Sequence, residues 1–295
     1  MQGTPEKSVN SFGFLNIYKP KGMTSHDVVA VMRRVTHIKQ IGHTGTLDPF
    51  AEGVLPICIG KATRLIEYLD DDKEYLAEIK FGIETDTYDL DGKVTGVFDK
   101  KVTEDEISVL LPEFRGEISQ MPPIYSAIKV NGKKLYEYAR EGKDVKIEPR
   151  KVFIEKLELK NFDFENQSAQ VLVKCSKGTY IRSIAHDLGA AARCGAHLTK
   201  LTRTQAGKFL ISNSIKLDEL NSFEAVFENL INPLEMLDYP KVTVDDNEMT
   251  KIKNGAPIQN NNDILSGKVV ILIYNDIISS VGVADGKKIL IKKVF

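Results

Sequence analysis

The apolar positions change period several times along the chain, and each change marks an element. Phe14–Tyr18 reads as a short strand that Lys19-Pro20-Lys21-Gly22 breaks. A helix then opens at Thr24 with Asp27 three residues on, the spacing at which side chain and backbone cap each other. Val28, Val31, Met32 and Val35 recur at helical spacing, which turns an apolar stripe inward and leaves Arg33 and Arg34 facing out. Beyond a loop rich in Gly, Thr and Pro at Gly42–Gly53, Leu65, Ile66 and Leu69 predict a second amphipathic helix over about Lys61–Leu69. The period then drops to two. Tyr75, Ala77, Ile79 and Phe81 alternate with Leu76, Glu78 and Lys80, the pattern of a half-buried strand.

Further on, Pro122-Pro123 precedes a predicted strand Ile124–Val130, Asn131-Gly132 supplies a tight turn, and Leu135–Arg140 predicts a brief helix. Strands follow at Val152–Leu159 and Ala169–Cys175. Ser176-Lys177-Gly178 then turns the chain into a helix from about Tyr180, with Ile181, Ile184, Ala185 and Leu188 inward and Gly189 near its end. Long strands mixed with helices, without strict β-α-β alternation, predict an α+β domain on a mixed sheet. Its end is placed near Leu237, with the boundary at Tyr239-Pro240. Val242–Val244, Val269–Tyr274, Ile277–Val283 and Ile289–Val294 then predict a small β-rich appendage with a turn at Asp285-Gly286. The expected division is a flexible segment 1–11, a main domain 12–238 and an appendage 239–295.

Composition narrows the class. With 42% hydrophobic and 27% charged residues, the 295-residue chain is an ordinary globular protein with ample core. Met1–Ser11 lacks the apolar run of a secretory signal and no stretch is long enough to span a bilayer, so a cytoplasmic protein is expected. Its three cysteines, Cys58, Cys175 and Cys194, form no Cys-x-x-Cys pair and read as reduced packing residues. A formal net charge of −1 argues against a phosphate-binding surface, yet the charges are unevenly placed. Basic residues gather at Lys19–Lys21, Arg33–Lys39, Lys129–Lys134, Lys146–Lys151 and Lys174–Arg203, acids at Asp70–Asp72, Asp86–Asp91 and Asp218–Glu228. Charge alone leaves a basic binding face and an evenly solvated surface both open.

The loop Gly42–Gly53 is the stretch most charged with chemistry. Three glycines let the backbone bend and approach a partner, and Pro49 stiffens the turn beside the single aspartate, Asp48. On pattern alone, Asp48 either serves a substrate or hydrogen-bonds its own turn. Other enzyme signatures fail. Ahead of Gly60-Lys61 a phosphate loop would need glycine where Leu55 stands and a hydroxyl where Ala62 stands. A calcium loop would need ligands where Thr87 and Phe98 lie. His43 and Asp48 could join a Ser-His-Asp triad, but no Gly-x-Ser-x-Gly elbow supplies the serine. No dinucleotide or zinc motif is found, so no cofactor or metal is expected.

The loop resembles the signature of the TruB family of pseudouridine synthases, and further blocks are similar in the same order. These are Asn16–Ser25, Gly60–Arg64, Lys73–Tyr75, Thr85–Thr87 with Asp91-Gly92, Pro122–Lys129, Lys177–Arg182 and His197–Leu201, which together span about Phe12 to Gly207. The resemblance implies a pseudouridine-synthase fold with a central mixed, largely antiparallel sheet flanked by helices, followed by a PUA-like RNA-binding domain. It implies cofactor-free isomerisation of uridine 55 in the T stem-loop of tRNA. Asp48 would be the catalytic carboxylate, Arg182 its counter-charge and Tyr75 the ring that stacks on the target base. Leu201 would pack against the base, and His43 would enter the RNA loop that the base has left. Lys19, Lys21, Arg64, Lys129 and Lys133 are candidates for phosphate contacts. The same resemblance leaves two other readings: a guide-RNA-dependent synthase, though the chain carries no lysine-rich tail, and a tRNA-folding chaperone. A monomer that needs no protein partner and no membrane is expected.

Overall fold

The period-two runs assemble into one large sheet. A computed structural model of the chain describes residues 12–143 and 145–295; the segment 1–11, expected to be flexible, lies outside the described residues. The principal strands are β1 (Gly13–Lys19), β2 (Glu52–Ile59), β3 (Lys73–Phe81), β4 (Gly116–Gln120), β5 (Arg150–Asp163), β6 (Ser168–Cys175) and β7 (Ala196–Ala206). They lie in the order β1-β2-β7-β3-β6-β5-β4 within a ten-stranded sheet. Every neighbouring pair in that series is antiparallel except β2 and β7, which run parallel and pair only at Thr202 with Glu52 and Arg203 with Gly53. The expected mixed, largely antiparallel α+β architecture is what forms.

Two helices cover one face of this sheet. Helix α1 (Ser25–Thr36) starts at the capping box of Thr24 and Asp27 and buries Val28, Val29 and Met32. Helix α2 (Ile181–Ala191) buries Ile181, Ile184, Ala185 and Leu188. Both pack with Leu15, Ile57, Ala77, Ile79, Val171 and Val173 in a single apolar cluster, so each helix start is fixed relative to the sheet. Those two starts and the loop before β2 carry part of the site, and β3 and β7 carry the rest of its wall.

Three local expectations are corrected. Lys61–Leu69 is a 3-10 helix over Gly60–Tyr68, whose buried side chains, Ala62 and Leu65, are three apart as that tighter winding requires. The strand expected at Ile124–Val130 is confined to Lys129–Val130, paired with Lys133–Lys134 across Asn131-Gly132. Its upstream carbonyls have other partners: Ser126 and Ile128 accept from the N–H groups of Tyr136 and Leu135, and Tyr125 accepts from Arg182. The strand predicted to stop at Leu159 continues as β5 to Asp163, because register shifts near Glu155 and Lys160 reset the alternation that sequence reading follows.

Beyond Pro240 a separate five-stranded sheet contains β8 (Lys241–Thr243), β9 (Ile258–Gln259), β10 (Val269–Tyr274), β11 (Ile277–Asp285) and β12 (Lys288–Val294). Its inner face buries Val270, Leu272 and Ile289 with Ile252. A second cluster joins Ile271, Ile278 and Val281 to Phe14, Val54 and Leu65, seating this sheet on the back of the large one.

The short β2–β7 pairing brings two backbones into close approach. Gly53 has φ +104°, and a Cβ there would lie 2.3 Å from the carbonyl oxygen of Arg203. Gly53→Ala is therefore expected to lower unfolding free energy by at least ~3 kcal/mol, the combined cost of left-handed backbone and steric overlap. Denaturant melts check this; a midpoint indistinguishable from the parent's would show that the two strands can part without loss.

Candidate active site

Asp48 sits in a loop whose backbone is held from several sides. The hydroxyl of Ser25, at the start of α1, accepts from the Leu47 N–H at 2.8 Å and donates to the Leu47 carbonyl at 3.2 Å. The Pro49 carbonyl accepts from the Gly22 N–H at 2.8 Å and from Lys19 Nζ at 3.4 Å. On the opposite side, Arg203 donates from Nη2 to the Gly45 carbonyl at 3.2 Å, from Nη1 to Thr46 at 3.5 Å and from Nε to Val54 at 2.7 Å. Both cations are fully buried. The carboxylate itself keeps 34% of its side-chain surface accessible, so the held loop presents a group that a substrate can reach.

Arg182, in the first turn of α2, brings the charged groups together. Its Nε lies 3.0 Å from Asp48 Oδ2 and its Nη1 lies 3.2 Å from Asp89 Oδ2. Nη1 also donates to the Thr87 carbonyl at 3.2 Å and Nη2 to the Tyr125 carbonyl at 3.0 Å. The Nε–H is not aligned with Asp48, so that contact is a close ion pair rather than a directed hydrogen bond. Asp89 is buried and accepts from the Thr87 hydroxyl at 2.6 Å and the Asp91 N–H at 3.1 Å. Burial pushes its carboxyl upward, and the Thr87 hydrogen bond and Arg182 charge oppose that shift.

Tyr75 and Leu201 lie on the same sheet face. Tyr75 on β3 is the cross-strand partner of Arg203 on β7, and Leu201, two residues before Arg203, is the partner of Ala77. Tyr75 is 7% exposed; burial pushes the pKa of its hydroxyl above the ordinary phenol value, and the facing Arg203 charge pulls it back. His43 meets His26 edge to face at 5.4 Å, and its Nδ1 is buried with no hydrogen-bond partner among the described residues. Burial, reinforced by His26 and Arg203, pushes the imidazole down to about 4, so it is neutral near pH 7.

Of the expected phosphate contacts, one is corrected, Lys19. Lys19 is 0% exposed and donates to the carbonyls of Met23 at 2.6 Å, Pro20 and Pro49; burial lowers its ammonium to about 8. It is an internal brace of the Asp48 loop and cannot meet a phosphate. Arg64 donates to the Val294 carbonyl at 2.6 Å and lies over the Phe295 ring, tying the end of the chain to the 3-10 helix. Lys21 and Lys129 are exposed, and Lys133 pairs with Glu141 over the Tyr138 ring. Sequence reading missed Asp89 and Arg203. Asp89 stands in a run of acids with nothing to mark it as the buried one; Arg203 had a signal, since it falls two residues after inward-facing Leu201 on the same strand.

The comparisons with known proteins fit this geometry. A family model described as TruB family pseudouridylate synthase, N-terminal domain, matches residues 33–181. The chain belongs to the TruB family. A second model, described as the tRNA pseudouridylate synthase B C-terminal domain, matches residues 182–237. The chain is 43% identical over 286 residues to a tRNA pseudouridine synthase B of Caldanaerobacter subterraneus subsp. tengcongensis, covering 96% of this chain and 99% of the relative. It is 48% identical over 248 residues to that of Symbiobacterium thermophilum, covering 83% and 82%. Among solved structures it matches a chain of a Cbf5-Nop10-Gar1 complex at 27% identity and a TM-score of 0.72, covering 96% of this chain and 84% of the other. Among the described residues of this TruB-family chain, no cluster of three or more His, Cys, Asp or Glu is placed to hold a metal, and no helix is long and apolar enough to cross a membrane.

The depressed His43 value has a consequence for stability. Between pH 6.5 and about 4 the unfolded chain takes up a proton at this ring that the folded chain refuses, so stability falls as pH drops through that window. His43→Asn should remove that share of the acid sensitivity, about 1–2 kcal/mol once solvent screening of a part-exposed ring is allowed for. Denaturant titrations of both proteins at pH 7.5 and pH 4.5 measure it; equal pH dependence would contradict a neutral His43.

Proposed function

We propose that this TruB-family synthase isomerises uridine 55 in the T stem-loop of tRNA, with Asp48 as the catalytic carboxylate. The observation that carries the reading is the pairing of a solvent-reachable Asp48 with a buried Arg182 at 3.0 Å. Pseudouridine formation breaks the N1–C1′ bond, turns the uracil and joins its C5 to the same C1′ while C5 gives up its proton and N1 takes one up. Nothing is oxidised or reduced, and the base returns to the sugar it left. A single carboxylate beside sugar and base meets that demand, whether by covalent attack or by moving a proton. Arg182 supplies the counter-charge that such a group needs beside it once RNA excludes water.

Tyr75 and Leu201 form the apolar wall on which the flipped uracil rests, with the Tyr75 hydroxyl on the side of Arg203. A neutral, half-buried His43 enters the loop vacated by the base, where shape and hydrogen bonding suffice. Lys21, Lys129 and Lys133 contact phosphates. Residues 239–295 act as a PUA-like RNA-binding domain appended to the synthase domain 12–238. The enzyme works as a monomer without a protein partner, and its three buried free thiols suit the reducing cytoplasm.

Solved relatives include a protein from an H/ACA ribonucleoprotein bound to substrate RNA, matched at 27% identity and a TM-score of 0.71. That likeness keeps a guide-dependent reading in view, but the 43% identity over nearly the whole of a tRNA pseudouridine synthase B favours direct tRNA recognition. The deciding experiment incubates the protein with unmodified tRNA transcript and maps pseudouridine. Product at uridine 55 is expected from the parent protein, and Asp48→Asn should bind tRNA within a few-fold of it yet lose at least ~10³-fold in rate. Tritium release from C5-labelled uridine by Asp48→Asn at the parent rate would remove Asp48 from the chemistry. Retained binding in that variant also separates isomerisation from tRNA folding assistance.

A further inference from the structure

The loop that delivers Asp89 to Arg182 passes through Tyr88, whose φ of +63° places a bulky aromatic in the left-handed region. That conformation costs free energy in a residue with a Cβ and a ring, so something outside the loop must hold it. The holder is on α2. The Tyr88 ring stacks on His186 with centroids 3.9 Å apart and planes 25° from parallel. His186 lies one helical turn after Arg182, and its Nδ1 sits 3.0 Å from Asp187 Oδ1, which fixes the ring's direction. The backbone on either side of Tyr88 is committed to the charged centre: the Thr87 carbonyl and the Asp89 carboxylate both bind Arg182. The Tyr88 carbonyl itself accepts from the Leu198 N–H at 3.0 Å, on the strand that carries Leu201. One helix therefore grips one loop twice, by charge at Arg182 and by ring contact at His186, with the strained residue between.

We propose that Tyr88 and His186 are positioning residues: their stack holds Thr87 and Asp89 against Arg182 and so sets the guanidinium that faces Asp48. The inference rests on the reading of Asp48 and Arg182 as the reacting centre. A role in folding alone and a role in positioning make opposite demands on one substitution. Tyr88→Gly removes the stack but also relieves the left-handed strain, so thermal stability should stay at the parent level or rise. Its single-turnover rate on tRNA should nevertheless fall roughly three- to thirtyfold, with tRNA affinity unchanged, because sub-ångström misplacement of a charge is felt in the chemical step. Tyr88→Phe, which keeps the stack, should restore the rate. His186→Ala, a good helix former at a part-exposed site, should fold normally and lower the rate without adding to the loss in Tyr88→Gly.

Amide hydrogen exchange over residues 85–92 tests the clamp without reference to activity, and should be faster in His186→Ala than in the parent. Parent-like rates in both Tyr88→Gly and His186→Ala, or unchanged exchange, overturn the proposal. Faster exchange together with a parent protein that makes no pseudouridine would instead leave the clamp standing and defeat the assignment of function.

Discussion

The buried guanidinium of Arg182 is the interaction on which the rest of the site depends. An arginine enclosed in protein has to satisfy a rigid, planar fork of donors, and an unmet donor in that setting is costly. Here three acceptors, the carbonyls of Thr87 and Tyr125 and the carboxylate of Asp89, come from two different loops and fix the plane of the fork. Asp48 is then left to the Nε edge, close but off axis. The arrangement makes Arg182 a stationary charge and Asp48 the partner free to turn toward another group. A lysine could carry the charge but could not be held in a plane by three acceptors.

That fixed charge would be of little use if the aspartate loop moved. Two further buried cations, Lys19 and Arg203, brace it, and both do so through backbone carbonyls rather than through carboxylates. Carbonyl partners leave the cationic charge uncancelled, so the surroundings of Asp48 are more positive than a chain of net charge −1 suggests. Asp89 is the balancing anion, and its cost of burial shows in the upward push on its carboxyl. The same positive surroundings reach Tyr75, whose hydroxyl faces Arg203, and His43, whose protonation they oppose. One local field therefore acts on the carboxylate, the phenol and the imidazole together.

How much of this could be read from the chain differs by the kind of signal. Elements with unshared periodicity were legible: β3 alternates from Tyr75 to Phe81 as expected, and α1 begins at the capping box of Thr24. Errors arose where tertiary partners replaced local ones. Ile124–Ile128 has strand-like composition, but its carbonyls serve a helix start and Arg182 instead of a ladder. Lys19 is a basic residue in basic surroundings, and only the fold reveals that it is wholly enclosed. The pairing of Asp48 with Arg182, which are 134 positions apart, came from family resemblance alone, since no local pattern links residues across a β-sheet topology.

A held loop and a clamped arginine also decide which partner must adapt. The backbone of the Asp48 loop is pinned on one side by Lys19 and Ser25 and on the other by Arg203, so the protein has little freedom to reach into a stacked RNA loop. The deformation falls to the nucleic acid, at a cost of a few kcal/mol for unstacking one base. Part of that cost can be returned by an aromatic wall for the extruded uracil and a planar ring for the vacated space, and Tyr75 and His43 are each of the right kind. A neutral imidazole is the better filler, because a charged one would carry its hydration shell into a gap between bases, and burial beside His26 and Arg203 is what keeps it neutral. Arg203, one of the two cations that brace the Asp48 loop, thus also keeps neutral the ring proposed to fill the vacated space.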